Sequence, residues 1–162
     1  MRTIRITAGI VILTALTSCG LTSEQLKPTI TKAQATQQVT SYDTEIVTSL
    51  VGTAKEAVPV FQSMECETAD IPGPKGRVSV SSDDRAFRTI PKERNAEIVQ
   101  AFETKLTSLG FELYRKSGND RVYKNKSNGF TVVLREGLDD RRTLTLTVDS
   151  GCVWPDGTPP AR

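Results

Sequence analysis

Three cysteines, at positions 19, 66 and 152, are the most reactive side chains in a chain of 162 residues that contains no histidine. Without imidazole, the usual general base, the commonest metal ligand and the side chain that changes charge near neutral pH are all missing. The serines have no partner for a Ser–His–Asp triad, and no Ser-x-x-Lys at a helix start replaces one. Carboxylates are paired at Asp83-Asp84 and Asp139-Asp140. Neither pair lies in the spaced Asp/Asn/Gly pattern of a calcium loop. Both fall at expected turns, where Asp is favoured for local hydrogen bonding. Ile71-Pro72-Gly73-Pro74-Lys75-Gly76 sets glycines beside a lysine but lacks the spacing and Lys-Ser/Thr pair of a phosphate loop. Its prolines make it a stiff crossover. Tyr42, Phe61, Phe87 and Trp154 read as core-edge aromatics. The expectation is a protein without cofactor, metal or enzymatic activity.

The first cysteine is positioned by what precedes it. Arg2 and Arg5 give a positive start, Ile6 to Leu16 is an apolar run with small interruptions, and small residues follow. This order describes an export signal. The run is shorter than the roughly 20 apolar residues needed to span a bilayer. Leu16-Thr17-Ser18-Cys19 resembles a lipobox, the cleavage site of lipoprotein signal peptidase: an aliphatic residue, two small residues, then Cys. The resemblance covers the first 20 residues. It implies cleavage before Cys19, diacylglycerol on its sulfur, and anchorage on the cell membrane facing away from the cytoplasm. Each buried methylene contributes about 0.8 kcal/mol, and two or more chains anchor stably.

Removing Arg2 and Arg5 with the signal leaves 19 basic side chains of the original 21, equal to the 19 acidic ones. No basic patch points to nucleic acid. With Cys19 given to lipid, Cys66 and Cys152 remain in an oxidising compartment, where two leftover cysteines are expected to pair. A metal pair would need two more ligands; two free thiols are the other alternative. A disulfide closing most of the domain is worth about 4–5 kcal/mol in the chain-entropy model.

Residues 1–18 thus read as a signal peptide, 19–30 as lipidated N-terminus and tether, 31–156 as one domain and 157–162 as a frayed tail. Thr31 with Gln34 fits a capping box opening a helix from Thr31 to about Ala57, with Val39, Tyr42, Ile46 and Leu50 at helical spacing. Val60 to Thr68 and Arg77 to Ser82 read as strands, and Ser81 to Asp84 as a turn. Pro91 opens a second helix whose stripe is Ile98, Val99, Phe102, Leu106 and Leu109; Gly110 closes it. Period-two patterning then gives four strands. They run Phe111–Tyr114, Arg121–Asn125, Phe130–Arg135 and Thr143–Val148. Turns are expected at Ser117–Asp120, at Asn128-Gly129 in the type I′ pattern, and at Gly137–Arg141. By parity Cys152 continues the Leu face of the last strand, placing the disulfide toward the core.

The fold class that follows is α+β: a two-layer sandwich with two helices on one face of an antiparallel sheet of about five or six strands. The opposite face would carry Tyr114, Val133 and Arg135, the expected partner surface; the loop Asp70 to Gly76 is the competing site. In layout the chain resembles small uncharacterised lipoproteins of actinomycete bacteria. The resemblance is carried by Leu16 to Cys19, Leu109-Gly110-Phe111, and Leu144 to Val148 with Gly151-Cys152-Val153-Trp154-Pro155. It implies no particular activity. The leading expectation is a non-enzymatic module binding a protein or envelope component. The alternatives are a carrier of a small apolar ligand between helices and sheet, and an envelope hydrolase.

Overall fold

The computed structural model describes residues 26–51, 60–67 and 73–161. The signal and lipobox, with Leu16, Thr17, Ser18 and Cys19, lie outside the described residues. So do the expected end of the first helix and the first three residues, 70–72, of the loop from Asp70 to Gly76. Among the described residues are two helices, α1 (Lys32–Val51) and α2 (Asn95–Ser108), and seven strands. The strands are β1 (Phe61–Glu65), β2 (Val78–Ser82), β3 (Arg85–Ala86), β4 (Phe111–Ser117), β5 (Asp120–Asn125), β6 (Thr131–Glu136) and β7 (Leu144–Val153). The sheet order is β1-β2-β7-β6-β5-β4, all antiparallel, with β3 beside β7. This is the expected two-layer α+β sandwich, with Cys66 and Cys152 joined.

Helix α1 starts as its sequence dictates. Gln34 N–H donates to Thr31 Oγ1 at 3.2 Å, and Thr31 N–H donates to Gln34 Oε1 at 2.9 Å, so two orphan donors of the first turn are satisfied reciprocally. Its face of Ala35, Val39, Ile46 and Val47 is buried on the sheet beside Phe102 and Leu106 of α2. Beneath them lie Phe87, Phe111, Phe130, Val132, Leu134, Leu144, Leu146 and Val148. Each such apolar side chain contributes about 1.5–3 kcal/mol when fully buried. Gly110, at φ +81°, takes the left-handed position after α2 that a Cβ would resist, and turns the chain into buried Phe111.

Three local expectations are corrected. Ser81 to Asp84 is not a turn. The chain stays extended there, because β2 pairs with one half of β7 and β3 with the other. Asp83 N–H donates to Val60 O at 2.8 Å, and the two carboxylates take side-chain donors from Gln62 and Thr147. Asn128-Gly129 does not form a two-residue turn. A four-residue loop closes between paired Asn125 and Phe130, and only its Gly129 is left-handed. Third, Cys152 does not continue the buried face of β7. Ser79 opposes Cys152 while Ser81 opposes Asp149, so β7 carries one extra residue between them. Asp149 Oδ1 accepts from Gly151 N–H at 2.6 Å, and Gly151 sits at φ +67°. The bulge flips the alternation, so Val153 turns inward and Cys152 outward. The disulfide therefore lies on the helix-free side, tying β7 to the end of β1.

Strand register defines two ends of the molecule. At the base, Thr29 N–H donates to Gly157 O (2.8 Å), Lys32 N–H to Pro155 O (3.0 Å) and Trp154 Nε1 to Lys27 O (3.2 Å). The last residues of the expected tether and the first of the expected tail are thus docked on each other, because Trp154 is buried between them. At the opposite, distal end lie the β4–β5 turn, the β6–β7 loop and the segment before α2.

Candidate partner surface

Tyr114, Val133 and Arg135 do share the helix-free face. Val133 is half-buried between Val122 and Thr147, its cross-strand neighbours. Arg135 grips Asp120 with two bonds, Nε to Oδ1 at 2.8 Å and an outer nitrogen to Oδ2 at 3.2 Å. That hydrogen bonding holds the Asp120 carboxyl below the usual carboxylate range. Tyr114 stands apart, on edge strand β4, where the register shifts between Leu113 and Arg115. It is 70% exposed, and the Lys124 ammonium lies 5.7 Å from its ring centroid. Edge bulges and edge cations such as Arg115 and Lys116 deter strand addition. Near the base, burial pushes the Asp149 carboxyl up, against the pull of its bond from Gly151. Charges on the face pair with one another, as Arg135 does with Asp120 and Glu112 with Lys126.

Two features were not foreseen from the sequence. The first is a buried ion pair between the layers. Asp43 is fully buried on α1, and Arg85 of β3 donates to its Oδ2 at 2.5 Å. Burial raises the Asp43 carboxyl above its ordinary value while the Arg85 charge pulls it down. Asp43 Oδ1 and Arg85 Nε have no hydrogen-bond partner. The pair clamps α1 to the sheet. A sequence signal existed, because Asp43 interrupts the apolar stripe between Val39 and Ile46.

The second is the β6–β7 loop. Leu138 is 93% exposed, the most exposed large apolar side chain among the described residues. The loop around it is tightly held. Gly137 N–H donates to Thr143 O (2.9 Å), Arg142 N–H to Asp139 O (3.0 Å) and Lys92 Nζ to Asp140 O (3.3 Å). Asn95, buried at the start of α2, donates from Nδ2 to Arg142 O at 2.8 Å and to Glu136 Oε1 at 2.9 Å. Arg142 adopts φ +48°, the sole left-handed residue other than glycine among those described. For an L residue that conformation costs about 1–2 kcal/mol. Across a shallow depression stands the β4–β5 turn, where Gly118 at φ +55° permits a two-residue connection. Arg135 and Asp120 line the same depression. The sequence signal for Leu138 was a leucine inside an otherwise polar turn.

No cluster of three potential metal ligands occurs among the described residues, and none of their helices is long and apolar enough to cross a membrane. Fold and surface together define a disulfide-tied two-layer α+β domain with a hydrogen-bonded distal loop. No protein-family model matches the chain, and no curated protein or solved structure matches it.

Proposed function

We propose that the chain is an envelope lipoprotein, anchored through lipid on Cys19, whose domain is a non-enzymatic module that binds a protein or envelope component. The anchor rests on the charged start, the apolar run and Leu16-Thr17-Ser18-Cys19. A disulfide is what an exported chain can keep. The observation that carries the module reading over the carrier reading is the filled space between the layers. Phe87, Phe102, Phe111, Phe130, Ile46 and Leu134 are all buried there to under 2% exposure, the space a small apolar ligand would need. Depressions beside the start of α1, before α2 and at the β6–β7 loop are open to solvent.

The test is metabolic labelling of cells producing the full chain with a fatty-acid analogue. The parent should carry label and partition with membranes. Cys19→Ser should lose label and either stay uncleaved or leave the membrane fraction; equal label on the variant overturns the anchor.

A further inference from the structure

We propose that the distal tip built by Leu138 and the β4–β5 turn is a docking site for a partner protein that inserts an apolar side chain. This deepens the reading of the domain as a binding module on an anchor and rests on it. A single exposed leucine is ordinary on a protein surface. What distinguishes Leu138 is the loop beneath it. Asn95 is buried to 6% exposure, and both of its bonds from Nδ2 go to this loop and its flank. Arg142 is held left-handed at the loop's end. Strained backbone fixed by surrounding bonds marks places where a shape is maintained for use. A loop already held in one conformation loses little freedom on binding.

The position of the tip selects the occupant. The chain enters the domain at the base, where Lys27 and Thr29 dock against Trp154 and Gly157. Only seven residues separate Cys19 from Lys27, so a fully extended connection reaches about 27 Å. A lipid on Cys19 therefore keeps the base near the membrane and turns the tip toward the envelope space. A bilayer is a poor occupant for the tip itself, since the short connection to Cys19 enters at the opposite end of the domain. Charges of both signs, Asp139 and Asp140 against Arg141 and Arg142, surround an apolar centre. That is the layout of a protein–protein anchor with a polar rim.

The experiment uses the full chain in cells with their own envelope. A photo-crosslinking phenylalanine analogue replaces Asn119, on the wall facing Leu138, or in separate variants Tyr114 or Lys75. The expected result is an adduct with one other protein from position 119. It should fall at least about tenfold when Leu138→Asp is added and persist when Tyr114→Ala is added instead. Thermal unfolding of Leu138→Asp should match the parent, since the side chain is solvent-exposed. An adduct unchanged by Leu138→Asp, an adduct of twice the chain's mass, or a lipid adduct overturns the tip proposal. An adduct from position 114 or 75 but not 119 overturns it while the module reading stands. No adduct at any of the three positions overturns both.

Discussion

Asp43 and Arg85 meet across 42 residues of chain, and neither is satisfied on its own. A buried pair of this kind is worth little against apolar replacements of similar volume, whereas removing one partner strands a charge. Arg85→Met should cost about 3–5 kcal/mol in urea unfolding, and Asp43→Leu with Arg85→Met should return to within about 1 kcal/mol of the parent. Equal losses in the single and double variants would refute the clamp. Tyr123 gives a pH prediction. It is buried and donates to Glu103 Oε1 at 2.9 Å, and burial first, then that bond, raises its pKa well above 10. A raised folded value favours the folded state fully below the unfolded value near 10, and the advantage is lost as pH rises above it. Stability should therefore fall above about pH 10, and less steeply in Tyr123→Phe. Parallel falls would refute the assignment. At this scale the sequence is half legible. Asp43 breaks a helical stripe in plain view, but its partner is fixed only by the β2–β3 extension along β7, which no local pattern announces.

At the scale of elements, most of the layout follows from local chemistry. The Thr31/Gln34 cap, the stripe of α2 and the alternation of β6 and β7 each appear where their residues put them, because each is decided within a few residues. The failures occur where one residue changes the count. Two-residue periodicity carries Cys152 to the core; one extra residue at Asp149–Gly151 carries it to the other face. The glycine inside a strand pattern was the available sign. Gly151→Ala should cost about 1–2 kcal/mol, because φ +67° resists a Cβ, even though the added methyl would make only an ordinary contact, 3.5 Å from Gly129 O. If the bulge sets the facing of Cys152, the variant should also oxidise more slowly, as thiol counting during refolding will report. Unchanged stability and oxidation would mean that the bulge is not required.

For the whole molecule, the two ends of the domain are tied to each other at the base, where residues 27–32 meet residues 154–157. From the sequence, residues 19–30 lack periodicity and read as a tether. What turns their last residues into structure is a partner more than 120 residues away: Trp154 N–H donates to Thr29 Oγ1 at 2.8 Å, and its indole to Lys27 O. Those bonds bury the chain's single tryptophan, so its fluorescence reports directly on the base. A domain beginning at residue 26 should fold with blue-shifted emission and no free thiol in Cys66 or Cys152. A domain beginning at residue 32 loses the Thr31 cap, usually worth about 1 kcal/mol, and the acceptors of both Trp154 donors, at about 1 kcal/mol each. Its unfolding midpoint in urea should fall, with a total loss of about 2–4 kcal/mol, and its tryptophan emission should shift to the red before unfolding begins. The disulfide, being intact in both, cannot account for that difference. If the shorter domain matches the longer in midpoint and emission, residues 26–31 are tether alone, and the base is not held by them.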